Sequence, residues 1–185
     1  MSDRIKAVVD ELEQVTADAR DAFGTLSVEQ LNWKPSEPEW SIAQCFEHLI
    51  VTNGLYFPNI QKVIDGKHRN NAFSKIPFGT DLIAVAMKNS LDPKQSRKMK
   101  TFKIFQPSES SVSATIIEDF AANQRELSDL AFAARSFDVN GIKIAEPLST
   151  ALNLRLIDAF EILSMHCRRH FDQAKRVIES EAFPR

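Results

Sequence analysis

The sequence predicts an all-α fold, a four-helix bundle with a long irregular excursion between its second and third helices. Four long segments carry apolar residues at alternating spacings of three and four, the pattern of a helix with one buried face. No segment has the composition of a convincing strand run. With 185 residues and 43% apolar content, the chain can bury one sizeable core. We therefore expect residues 1–185 to form a single domain in which four apolar stripes cover one another.

The first long segment is predicted to be an amphipathic helix that ends near Gly24. The connection that follows, residues 26–40, carries two prolines and the capping-box pattern from Ser27 to Gln30. This pattern indicates a short helical turn and then an extended stretch. The apolar row of the first helix is Ile5, Val8, Leu12, Val15, Ala19, Ala22 and Leu26.

The second long helix is predicted to begin at Ser41. Ser41 can cap the backbone, Gln44 can reach back three residues later, and Trp40 can pack onto the first turn. Pro58 is expected to kink the helix or to end its regular part. The apolar row is Ile42, Phe46, Leu49, Tyr56, Ile60 and Val63.

Residues 66–108 lose this periodicity, and only residues 81–89 favour a helix. The stretch carries nine Lys and Arg against two Asp, which leaves fourteen against twenty-three in the rest of the chain. It could form an electropositive rim for an anionic substrate, but a solvated loop with ordinary lysines is the favoured interpretation. The net charge of −2 gives no reason to expect a nucleic-acid or membrane partner.

The third long helix resumes the apolar row, with Ser110 or Ser111 near its start. The row is Val112, Ile116, Phe120, Leu127, Leu130 and Ala134. A turn-rich connection over residues 136–149 then leads to a closing helix over residues 152–178. Asn140 and Gly141 in that connection favour a tight turn, conceivably the turn of a small hairpin between Phe137 and Ile144.

Two histidines stand one turn apart on the buried face of the closing helix. His166 lies in the row of Leu152 and Ala159, and His170 in a parallel row, so the two imidazoles point about 40° apart on one face. The pair could clamp a metal ion. Two hydrogen-bonded core histidines are the alternative.

A catalytic metal generally takes three protein ligands, and His48 is the candidate for the third. It lies at the margin of the buried face of the second helix, which suits a ligand aimed into a cleft and equally suits a half-exposed histidine. The remaining histidine, His68, stands in a polar, basic stretch and is not expected at the site. Cys45 and Cys167 are the only cysteines. Each is close to a histidine, but the usual fate of such a thiol is a small buried apolar group.

These residues carry a resemblance to a known family. Trp40-Ser41-Ile42 followed by His48-Leu49 at a helix start, and His166 with His170-Phe171-Asp172-Gln173 on the last helix, resemble the DinB-like (DinB/YfiT) superfamily. The resemblance covers nearly the whole chain in architecture, although only the two histidine segments are specific. It implies a four-helix bundle, often a homodimer, that holds a divalent metal such as zinc or nickel on three imidazoles, which map onto His48, His166 and His170.

The resemblance also implies a function. Members of known activity include metal-dependent transferases that join low-molecular-weight thiols to electrophiles. We therefore expect a small-molecule substrate and a metal-dependent transferase. The alternatives are a metal-dependent hydrolase that uses a metal-bound water and a non-enzymatic, stress-linked binding protein. The metal, the thiol and the electrophile are not identified by the sequence.

Further side chains near the histidines have two interpretations. Glu47, Asp172 and Gln173 could orient imidazoles or could line a solvated helix face. Arg168 and Arg169 could receive a carboxylate of the thiol or substrate, or could favour the C-terminal half of the helix. The charged first residues and the two unpaired cysteines lead us to expect a soluble, cytoplasmic protein.

Overall fold

The computed structural model describes residues 3–69, 79–92, 101–108 and 111–185. The chain is mostly helical, as predicted, but it also contains one small two-stranded sheet that the all-α prediction did not include. The described helices are α1 (Asp3–Phe23), α2 (Val28–Asn32), α3 (Ile42–Ile64), α4 (Gly79–Leu91), α5 (Ile116–Ala134) and α6 (Leu156–Ile178), with a 3₁₀ helix at Lys103–Phe105. The strands are β1 (Lys143–Glu146) and β2 (Ser149–Arg155).

Both predicted capping boxes are present. The side chains of Ser27 and Ser41 accept hydrogen bonds from the backbone N–H groups of Gln30 and Gln44, and the two glutamines accept in return from the serine backbone. These reciprocal bonds satisfy donors that would otherwise be unpaired at each helix start. They fix where α2 and α3 begin, as the sequence predicts.

The four long helices share one apolar core. Helices α1 and α3 each pack against both α5 and α6. Their buried apolar residues belong to a single cluster that includes fully buried Phe23, Phe46, Phe120 and Phe160. Helix α3 continues through Pro58 to Ile64, so the expectation that Pro58 ends its regular part is wrong.

The third long helix begins later than predicted. Helix α5 starts at Ile116, and Val112 is buried in the preceding segment. The amide side chain of Asn32 explains this, since it accepts from the backbone N–H of Val112 at 2.7 Å and donates to its carbonyl at 2.9 Å. Val112 therefore satisfies its backbone without helical bonds. Ser110, one of the two proposed starting serines, lies outside the described residues.

A β-hairpin replaces the first residues of the predicted closing helix. Strands β1 and β2 pair antiparallel, and α6 begins at Leu156 rather than at Leu152, which lies in β2 and is 38% exposed. The hairpin turn is at residues 147–148. Asn140 and Gly141 do form a tight turn, but a hairpin between residues 137 and 144 is wrong.

A buried carboxylate holds this hairpin. Glu146 accepts from the backbone N–H of Leu148 at 2.6 Å and from the hydroxyl of Tyr56 on α3 at 3.1 Å. Its environment raises the pKa of Glu146, because burial disfavours the charged form. The hairpin is thus attached to α3 through the hydrogen bond between Tyr56 and Glu146, which no local sequence pattern predicts.

Part of the predicted excursion is regular structure. The helix expected at residues 81–89 is present as α4, which packs against α6 and β2. Lys88 forms ion pairs of 2.6 Å with Asp158 and Glu161 of α6. Lys88 therefore joins α4 to α6 and does not contribute to an open electropositive rim. Residues 70–78 and 93–100, including five of the other basic residues, lie outside the described part. Among the helices that are described, none has the length and apolar character needed to cross a bilayer.

Candidate metal centre

His48, His166 and His170 converge between α3 and α6. One nitrogen of each imidazole lies within 4.8 Å of the other two. The ring centroids are 4.9 Å apart for His48 and His166, 4.6 Å for His48 and His170, and 4.5 Å for His166 and His170. The three rings meet at steep angles of 68° to 88°, so they surround a common point instead of stacking.

The secondary structure explains this convergence. His48 lies almost two turns after the Ser41 cap, on the face of α3 that packs against α6. His166 and His170 are four residues apart on α6, so both project from one face. His48 and His170 are 4% and 9% exposed, and His166 is half-buried.

A backbone carbonyl orients the His48 ring. Its Nδ1 lies 2.5 Å from the carbonyl oxygen of Phe105, in the 3₁₀ helix of the predicted excursion. Since a carbonyl only accepts, Nδ1 carries the proton and Nε2 presents a lone pair. That Nε2 faces the Nε2 of His166 at 3.1 Å.

The donor set fits a divalent cation. Two imidazole nitrogens on one tetrahedral metal, each about 2.0–2.1 Å from it, are about 3.4 Å apart, close to the 3.1 Å between the two Nε2 atoms. The Nδ1 of His170 is buried and has no hydrogen-bond partner among the described residues. Imidazole nitrogens are ordinary ligands of zinc and nickel. These three residues could therefore hold a metal ion.

The environment keeps all three imidazoles neutral at pH 7. Burial lowers the pKa of His48, although the bond to Phe105 opposes the shift. Burial and the neighbouring His48 lower the pKa of His166 to about 3. Burial, together with the two other histidines, lowers the pKa of His170 well below its usual value, and a hydrogen bond between the His170 ring and the Gln173 side chain acts in the opposite direction. Neutral imidazole is the form that binds a metal.

Trp40 covers the histidines on one side. Its indole is stacked on the His170 ring at 27° with centroids 5.7 Å apart, and lies 4.9 Å from the His48 ring. The sequence predicts only that Trp40 packs on the first turn of α3. Its contact with both histidine-bearing helices, like that of Phe105 with His48, depends on tertiary structure.

The segment that supplies Phe105 is attached to the first turns of α3. Gln44 donates to the carbonyl of Ser108 at 3.0 Å, while Glu47 accepts from its backbone N–H at 2.8 Å and from its hydroxyl at 2.9 Å. Glu47 thus holds the segment that orients His48, rather than contacting the imidazole as one interpretation of the sequence suggested.

Other predicted candidates take structural roles. Arg168 pairs with Glu11 and Asp18 of α1 at 2.6 Å each, so it joins two helices. His68 lies away from the cluster, in a small cavity that it shares with Asn59 and Lys143. The three-histidine group does not include it.

The two cysteines are buried apolar groups. Both are 0% exposed, and burial raises the pKa of each thiol to about 12. The Sγ of Cys167 accepts a hydrogen bond from Asn53 at 3.8 Å. A protonated, buried thiol is a poor nucleophile and a poor ligand. The interpretation of both residues as small buried hydrophobes is therefore supported by their surroundings.

Comparison with known proteins gives one match. The sequence model described as the DinB superfamily matches residues 11–174, which include all three histidines of the cluster. No curated protein and no solved structure matches the chain.

Proposed function

The chain belongs to the DinB superfamily, and from that premise we propose that His48, His166 and His170 bind one divalent cation, zinc or nickel. We propose that the protein is a metal-dependent transferase that joins a low-molecular-weight thiol to an electrophilic small molecule. We propose further that α1, α3, α5 and α6 constitute the four-helix bundle of a single domain.

The observation that carries the proposal is the convergence of three neutral imidazoles, of which two are buried and that of His166 is half-buried. Without an ion, the buried Nδ1 of His170 has no hydrogen-bond partner among the described residues. Unpaired buried polar groups cost about 1–3 kcal/mol each. A shared cation could bind one nitrogen of each of the three rings.

His48, His166 and His170 would hold the cation through neutral imidazoles that leave most of its charge uncompensated, and the cation would supply a lowered pKa to a small thiol that binds there. The protein residues fix the geometry. Phe105 sets the tautomer of His48, α6 sets the spacing of the other two rings, and Trp40 excludes water on one side. In the transfer, the thiolate sulfur forms a bond to an electrophilic carbon, and a leaving group departs with the electron pair of the bond that breaks.

Metal binding is tested by titrating the metal-free protein with zinc and with nickel. We expect one ion per chain in the wild type. His170→Ala should bind at least tenfold more weakly, since one of three ligands is lost. His68→Ala, which removes a histidine outside the cluster, should bind like wild type. Equal affinities of His170→Ala and wild type would contradict the proposed site.

The reaction is tested by a thiol-conjugation screen on the zinc- and nickel-loaded protein. We expect product only when thiol, electrophile and metal are all present, with His170→Ala inactive and His68→Ala active. Turnover of esters or amides without thiol would point to hydrolysis instead. Saturable binding without turnover of any thiol or ester would point to a binding protein.

A further inference from the structure

A polar pocket adjoins the three-histidine cluster. Its volume is about 350 Å³, which is within the range that accommodates a small organic molecule. Trp40 is shared by the pocket and the cluster, since the indole lines the pocket and contacts the rings of His48 and His170. We refer to it as the Trp40 pocket. Its other lining residues include Lys34, Glu37, Gln44, Gln106 and Ser108.

The walls of the Trp40 pocket are the segments that hold the metal centre. Gln44 lies one turn before His48 on α3, and Gln106 directly follows Phe105, whose carbonyl orients His48. The bond from Gln44 to the carbonyl of Ser108 joins these two walls. A molecule in the pocket would contact Trp40, which touches the rings of His48 and His170, while none of the three histidines lines the pocket itself.

The Trp40 pocket is lined by an anionic residue, Glu37, and by a cationic residue, Lys34. The side chain of Lys34 is 30% exposed, whereas that of its partner Glu37 is 81% exposed, and the two are 3.4 Å apart. Because the carboxylate of Glu37 is largely in water, this ion pair contributes little stabilisation. Glu37 therefore competes only weakly with a ligand for the ammonium group of Lys34. Lys34 can then bind an anionic ligand that is partly shielded from water, where a charge-assisted hydrogen bond is stronger than at an open surface.

We propose that the Trp40 pocket binds the carboxylate-bearing part of the small thiol, with the carboxylate on Lys34 and the remainder against Trp40. This inference rests on the proposed function, since it assumes that the sulfur of the same molecule reaches the histidines. The pocket residues Gln44 and Ser108 already bond to each other, which leaves Lys34 as the residue that determines specificity for a charged ligand.

The test measures binding and not turnover. The chain has two tryptophans, and Trp33 packs edge-on against Phe183, so Trp33→Phe leaves Trp40 as the single fluorescent reporter. The probes are S-methyl-N-acetylcysteine and its amide, which differ only in the carboxylate, together with N-acetylcysteine. Each is titrated with and without zinc. Lys34→Gln is the test variant, Lys34→Arg keeps the charge, and Lys62→Gln removes a lysine that does not line the Trp40 pocket.

We expect S-methyl-N-acetylcysteine to bind and to quench Trp40, and its amide to bind on the order of tenfold more weakly. Lys34→Gln should abolish that difference, while Lys34→Arg and Lys62→Gln should retain it. Equal binding of acid and amide by the wild type, or full discrimination by Lys34→Gln, would overturn the proposal.

The probes also separate this inference from the proposed function. Because the S-methyl compound carries no thiol, discrimination that depends on Lys34 can be present even if the metal chemistry fails. Conversely, if N-acetylcysteine binds more tightly with zinc while Lys34→Gln changes nothing, the metal site stands and the assignment of the Trp40 pocket is wrong.

Discussion

At the scale of single residues, the three imidazoles have lowered pKa values, and this makes stability depend on pH. In the unfolded chain a histidine titrates near 6.5, whereas burial lowers the pKa of His166 to about 3 and also lowers those of His48 and His170. At a pH between the pKa of a histidine in the folded protein and its pKa in the unfolded chain, the unfolded state binds more protons than the folded state. Stability is therefore lost as pH falls below about 6.5.

We predict that the free energy of unfolding of the metal-free protein decreases from pH 7.5 to pH 5. Each histidine contributes a slope of at most about 1.4 kcal/mol per pH unit. Urea denaturation at a series of pH values measures this. His166→Asn should reduce the slope by the contribution of one histidine, and an unchanged slope in that variant would show that His166 titrates normally.

Asn53 is a second residue whose environment gives a testable prediction. Its fully buried amide donates from α3 to Asn123 of α5 at 2.8 Å and to the sulfur of Cys167 on α6. Asn53→Ala should lower the free energy of unfolding by about 1–3 kcal/mol, since it leaves the Asn123 side chain buried without this donor. In a double-mutant cycle, Asn123→Ala should lower the free energy of unfolding much less in the Asn53→Ala variant than in the wild type. Additive losses would argue against direct coupling.

At the scale of elements, the segment of residues 103–108 connects the excursion to the metal centre. Glu47 binds Ser108 through two hydrogen bonds, and Phe105 in the same segment binds His48. We predict that Glu47→Ala weakens zinc binding roughly tenfold, as loss of outer-sphere support generally does. Glu126→Ala, which removes an exposed carboxylate of α5, is the control. Wild-type zinc affinity in Glu47→Ala would show that His48 is held without this segment.

The elements also show what the sequence can and cannot predict. The capping boxes and the spacing of His166 and His170 involve residues three or four apart, so local rules predict them correctly. The contact of His48 with Phe105 spans 57 residues, and no periodicity encodes it. Leu152 stands seven residues before Ala159, and this spacing predicts that it belongs to the last helix, but the pairing of β2 with β1 places it in a strand.

At the scale of the whole molecule, metal binding and folding should be coupled. The three histidines come from α3 and α6, which also pack together in the apolar core. Any ion that binds only the folded chain stabilises it, by about 2.7 kcal/mol when its free concentration is 100 times the Kd. For a domain of this size that corresponds to a rise in Tm of roughly 5–10 °C.

We predict this rise for the wild type and for His68→Ala when zinc is added, and none for His170→Ala. Thermal unfolding with and without zinc, followed by circular dichroism, measures it. A similar rise in His170→Ala would mean that zinc stabilises the fold from another position.

The most direct test of the central claim is anomalous diffraction from crystals of the zinc-loaded protein, recorded on both sides of the zinc edge. The account predicts one zinc peak per chain, about 2.0–2.1 Å from a nitrogen of each of His48, His166 and His170. A fully zinc-loaded crystal with no peak between these three rings, or with its zinc bound elsewhere, would contradict it.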